Sequence, residues 1–195
     1  QGFEQKVVLE TGENLSNKIS ITVKDSILRM ENNNTCNQFR DYGATKVFVT
    51  TPHLVEIRNG SGSPVMGEGI LNYKRLDLIA EDTNFEEEIH TVGDFELNID
   101  VDKLNVVTNG NSIFYIKGEA DQASIGFYGG ISRFEGKELM IQDLRVFHRS
   151  SNDIIVNPQS AIRGEIVSVG NVICSNRPAF VEVEESWEGR LIFRD

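Results

Sequence analysis

Histidines, a band of carboxylates and a series of spaced aromatics are the residues of this sequence equipped for chemistry or recognition. His53, His90 and His148 lie far apart, and no HExxH or comparable spacing joins them into a metal site. His148 shares the phase of Leu144 and Val146, so we expect a partly buried, hydrogen-bonded ring. Asp94, Glu96, Asp100 and Asp102 sit close together, and Glu96 and Asp100 would share one face of an extended strand. Paired with carboxylates from a neighbouring turn, such residues suit glycoside hydrolysis, and clustered oxygens suit calcium. Against this, no DxDxDG loop is present, and acids on the outer face of an alternating strand are ordinarily just solvated. Ser61, between Gly60 and Gly62, has no GxSxG context and reads as turn chemistry. No P-loop or GxGxxG fingerprint supports a nucleotide. We therefore assign no catalytic, cofactor-binding or metal-binding residue.

Recognition by aromatic side chains remains. Phe114, Tyr115, Phe127, Tyr128, Phe134 and Phe147 recur at related places along the chain. Neighbouring strand residues point to opposite faces, so one member of Phe114–Tyr115 and one of Phe127–Tyr128 should turn outward. Burial preference sends most of these rings to the core. Tyr115, Tyr128 and Phe147 are the candidates for an exposed stripe that contacts sugar or protein.

The elements that must position these side chains are strands. Helical periodicity is confined to a short turn at 13–18, while alternation recurs at Val47 and Val49, Leu76 and Leu78, Phe95 and Leu97, and Leu144 and Val146. LNVVTNG, ASIGFYG, LRVFHRS and GEIVSVG begin at residues 104, 123, 144 and 164, steps of 19, 21 and 20. Each is an apolar strand, a small-residue turn and a second strand. A period near twenty marks a stack in which no unit buries its own apolar face. LVEIRNG at 54–60 fits an earlier unit, and 82–94, with the acidic run 86–88, reads as an insertion at a corner. We expect one domain over 1–195, with a β-rich capping region at 1–45, stacked units over 46–178 and a second cap at 179–195 containing Trp187. An antiparallel sandwich built from the same short strands stays open.

Bulk properties narrow the partners. The net charge of −11, from 30 acidic and 19 basic residues, argues against nucleic acid and against electrostatic docking on anionic lipid. No apolar run is long enough to span a bilayer. The chain starts at Gln1, and we expect a leader to have been removed. Cys36 and Cys174 permit one long-range bridge, although two separate buried thiols fit better, and no CxxC spacing suggests zinc.

GENLSNKISITVKDSILRM at 12–30 and KVFVTTPHLVEIRNGSGSPV at 46–65, followed by the recurring strand–turn–strand units, resemble the head GIN domain family of putative auto-transporter adhesins, common in Bacteroidetes. The Gly-Ser-Gly turn is clean only at 60–62, and later turns read NGN, YGG, RSSN and VGN. The resemblance implies a right-handed parallel β-helix, exported to the periplasm or cell surface. It brings no catalytic motif. Together these features favour a non-catalytic module that contacts proteins or glycans through a solenoid face. A β-helix carbohydrate-active enzyme and a structural spacer are the alternatives.

Overall fold

Alternating residues can satisfy their backbone in two ways, and both occur in different parts of the chain. The computed structural model describes residues 1–34, 45–82 and 91–194. These form two compact units, one of residues 2–52 and one of residues 53–195, to which Gln1 also belongs.

The first unit pairs its strands antiparallel. β1 (Lys6–Glu10) lies beside β4 (Lys46–Thr50). A one-turn helix, α1 (Glu13–Ser16), follows β1, and β2 (Ile19–Lys24) then folds back on β3 (Ile27–Asn32). Asp25 and Ser26 form the two-residue turn with φ of 50° and 64°, the left-handed pair that matches strand twist in a tight hairpin. Val47 and Val49 thus lie in a strand as the sequence suggests, but Val49 is exposed beside Phe48, and their partner is β1 and not the stack.

The second unit pairs its strands parallel throughout. Its strands are β5 (Glu56–Arg58), β6 (Val65–Ala80), β7 (Phe95–Thr108), β8 (Ile113–Phe127), β9 (Arg133–His148), β10 (Ile154–Ile166), β11 (Val172–Cys174), β12 (Phe180–Glu185) and β13 (Leu191–Phe193). They form a β-solenoid of about 7 turns with about 19 residues in each. Leu78 lies beside Val106, Val106 beside Ile125, and Ile125 beside Val146, each on the next rung. The sandwich alternative is excluded here, because every strand pair among the described residues of this unit runs parallel. The terminal segment adds a further rung, with β12 beside β10 and β13 beside β11.

Register turns inward residues into ladders. Phe95, Phe114 and Phe134 occupy one column and are fully buried. Phe95 and Phe114 stack 4.8 Å apart at 7°, and Phe134 lies 6.4 Å from Phe114. Offset stacking of this kind adds about 0.5–1.5 kcal/mol per pair to the burial of the rings. A second core row runs through Leu76, Leu104, Ala123, Leu144 and Ile162.

Two bends recur in the rungs from β6 to β9. At the first, alternation breaks over two adjacent exposed residues: Lys74 and Arg75, Asp102 and Lys103, Asp121 and Gln122, Gln142 and Asp143. Two outward residues in succession require the backbone to bend, and no glycine or proline is needed. At the second corner, small hydroxyls replace apolar side chains and are satisfied by the neighbouring rung. Thr108 Oγ1 donates to the Ala80 carbonyl at 2.9 Å and lies 2.8 Å from Ser132 Oγ. Ser112 Oγ donates to Thr91 O at 3.2 Å, and Ser150 Oγ donates to Gly130 O at 2.9 Å. These buried polar groups therefore carry little penalty. Gly118, with φ of 109°, stands in a core column between Ile99 and Leu139. A Cβ there would meet the Ile99 carbonyl at 2.0 Å, so only glycine fits.

His148 corrects one expectation. It is fully buried and not partly so, and while neither ring nitrogen makes a hydrogen bond of regular geometry, the backbones of Asn152 and Asn171 lie close enough to favour its charged form. Its column neighbours are Phe127 and Ile166, and the ring meets Phe127 edge-on at 5.9 Å and 85°. Burial lowers its pKa below the usual histidine value.

Candidate functional site

Tyr115 follows the buried Phe114 on β8, so strand alternation turns it outward, where it is 46% exposed. Parallel register places Glu96 of β7 and Glu135 of β9 on either side of it, one rung away in each direction. The three side chains share a groove of about 480 Å³ with Asn98, Lys117 and Lys137. Gly67 belongs to the same lining and offers no side chain to close it. Glu135 is paired with Arg133, which also donates to Asn152 Oδ1 at 3.0 Å. One carboxylate beside the ring is therefore anchored, while Glu96 stands exposed. The arrangement offers an aromatic face bordered by hydrogen-bond acceptors and ammonium donors.

Tyr128 and Phe147 make a second aromatic surface. Their rings stack at 5.1 Å and 29°, with Tyr128 45% exposed and Phe147 half-buried. The Tyr128 ring lies over Gly126, where a Cβ would come within 2.7 Å of it. Arg149 donates through Nε and Nη2 to the Tyr128 carbonyl at 3.0 and 2.6 Å, fixing the backbone beneath the ring. The three candidate aromatics do not form one stripe. Tyr128 and Phe147 come together, while Tyr115 belongs to another column of the stack.

The clustered carboxylates separate into distinct roles. Asp94 Oδ1 accepts from the Ile113 amide of the next rung at 2.8 Å. Asp100 Oδ2 accepts from Asn72 Nδ2 at 2.8 Å, and Asp102 lies at an exposed corner. No group of three histidine, cysteine or acidic side chains able to hold a metal occurs among the described residues. His53 is exposed, and His90 lies outside the described residues. Cys174 is a fully buried free thiol whose pKa burial pushes up to about 12, while Cys36 lies outside the described residues. At Gly60–Gly62, the Asn59 side chain explains the turn. Its Oδ1 accepts from Ser61 N at 3.1 Å and from Ser61 Oγ at 2.8 Å.

The sequence groups Glu96 with acids of its own strand, whereas the structure sets it beside Tyr115 of the next rung, with Glu135 one rung further on. Offsets of about one repeat from Tyr115 reach both glutamates, so the periodicity contained the signal. Among the described residues, no helix is long and apolar enough to cross a membrane.

The family model "Putative auto-transporter adhesin, head GIN domain" matches residues 1–178. Among solved structures, a putative adhesin from Bacteroides fragilis superposes with a TM-score of 0.84 at 20% identity, over 98% of this chain and 83% of that one. A putative lipid binding protein from Parabacteroides distasonis superposes with a TM-score of 0.66 at 14% identity, over 98% of this chain and 86% of that one. No curated protein sequence matches the chain. At these identities the structural likeness concerns the fold, and the matching names are those of adhesins or binding proteins.

Proposed function

The chain belongs to the putative auto-transporter adhesin, head GIN domain family, and on that premise we propose that it is a non-catalytic, extracytoplasmic binding module that contacts glycans through the groove around Tyr115. The observation that carries this reading is the in-register series Glu96, Tyr115, Glu135. A tyrosine ring can pack against the C–H face of a pyranose while carboxylates beside it accept hydrogen bonds from the sugar hydroxyls. The solenoid backbone holds the three positions rigidly, which limits the ordering cost of binding. Tyr128 and Phe147 supply a second, preorganised aromatic contact for a longer ligand or a protein partner. The B. fragilis putative adhesin supports an extracytoplasmic setting, and its likeness is consistent with contact at a surface.

A glycan array followed by a reducing-end assay tests the reading. We expect retention of a defined set of glycans without release of reducing ends. Tyr115→Ala should weaken that binding by about ten-fold or more, the scale of a buried aromatic anchor. Depolymerisation of a bound glycan would establish the enzyme alternative. Binding indifferent to Tyr115→Ala would remove this groove from the site.

A further inference from the structure

A second groove on this unit, about 520 Å³, lies on a different side of the rungs from Tyr115 and is built from another chemistry. It follows the first corner along the stack. One wall is the corner column Arg75, Lys103, Gln122 and Asp143, and the other is the strand column Asp77, Asn105, Ser124, Arg145 and Arg163. Its ends are neutralised. Arg75 makes a bidentate pair with Asp77, with contacts of 2.9 and 2.7 Å, and Arg163 lies 3.6 Å from Asp143 and 3.9 Å from Glu182. Its middle is not. Lys103 and Arg145, two rungs apart, have no ion pair among the described residues. Between them stand the neutral side chains of Asn105, Gln122 and Ser124, while Asp143, on the rung of Arg145, is engaged by Arg163 at 3.6 Å.

We propose that this trough binds an anionic glycan, a uronate-bearing chain lying along the stack axis. Rungs repeat every ~4.8 Å, close to the advance of one pyranose residue in an extended chain, so successive sugars meet successive rungs in phase. Lys103 and Arg145 then receive carboxylates two residues apart, with the guanidinium able to take its carboxylate in bidentate fashion. Asn105, Gln122 and Ser124 supply amide and hydroxyl groups to the intervening sugar. The acidic surroundings sharpen the selection. In a chain of net charge −11, long-range attraction for polyanions is absent, and only an anion seated between these two cations gains. A trough whose two cations make no ion pair among the described residues suits a single chain better than a lipid surface, which draws on a broad basic face.

Calorimetric titration of the full chain with hexagalacturonate and with its methyl-esterified counterpart tests the assignment independently of the Tyr115 groove. At about 50 mM salt the acid should bind about ten-fold more tightly than the ester, and the preference should vanish near 500 mM as screening shortens. The exposed double substitution Lys103→Gln with Arg145→Gln should abolish the preference with an unchanged circular dichroism spectrum, while Arg145→Lys should keep most of it. Tyr115→Ala should leave the ratio of acid to ester unchanged. Equal binding of the two hexamers, or a preference that survives the double substitution, overturns the proposal. So does binding to phosphatidylglycerol vesicles that rivals binding to the acid hexamer, which would identify a lipid partner.

Discussion

The two units of this chain use the same strand-forming alphabet and reach opposite degrees of burial. In residues 2–52, no described side chain is fully buried, and Val23, Ile27, Met30, Phe48 and Val49 all remain exposed. In residues 53–195, the inward columns from Leu71 to Cys174 form one continuous core. The difference lies in what pairs with what. An antiparallel hairpin satisfies its backbone locally and leaves both faces open, whereas a coiled parallel stack encloses one face on every turn. Burial is thus a property of repetition here, not of composition.

The contrast can be broken most directly by truncating a ring in each unit. Phe114→Ala should cost about 3–5 kcal/mol, because it empties the centre of a three-ring ladder. Phe48→Ala, at an exposed strand position, should cost less than about 1 kcal/mol. Urea denaturation followed by the fluorescence of Trp187, which lies in the second unit, and by circular dichroism for the whole chain checks both. Comparable losses from the two substitutions would erase the distinction.

A smaller effect sharpens it through pH. The folded His148 ring titrates below its unfolded value because it is buried, so the unfolded chain takes up the proton first as pH falls. Stability is therefore complete above about pH 6.5 and declines as pH drops from there towards the folded pKa, by at most ~1.4 kcal/mol per pH unit for one proton. Urea midpoints between pH 7 and pH 5 should show this slope, and His148→Phe, matching the neighbouring Phe127, should flatten it. A slope unaltered in the variant would assign the acid sensitivity elsewhere.

The smallest effect belongs to the hairpin. Ser26 holds a left-handed backbone that glycine adopts without strain, and Ser26→Gly should stabilise the β2–β3 pair by less than about 1 kcal/mol. Amide exchange across Ile19–Lys24 would slow while β8 stays unchanged. Exchange that slows equally in both would mean that the units open together.

The solenoid was legible because its second corner announces itself in NGN, YGG and VGN at nearly fixed intervals. The first corner is equally present but carries no turn residue to mark it: Val101-Asp-Lys-Leu104 and Ile141-Gln-Asp-Leu144 each insert two polar residues where strict alternation allows one. Outward Tyr115 and Tyr128 followed from their buried neighbours Phe114 and Phe127. The partners of Tyr115 did not follow, because rung register depends on irregularities such as the shift between Tyr115 and Gly118. Nor does alternation distinguish a strand awaiting a parallel neighbour from one with an antiparallel partner, which is why Val47 and Val49 read as part of the stack.

The paired polar residues at the first corner have an evolutionary consequence. Lys-Arg, Asp-Lys, Asp-Gln and Gln-Asp all occupy the bend, which asks that two successive side chains prefer water. Exposed positions of this kind contribute little to folding, so they are the ones open to change one rung at a time. A lineage could exchange one surface ligand for another along this column while every inward residue stays as it was.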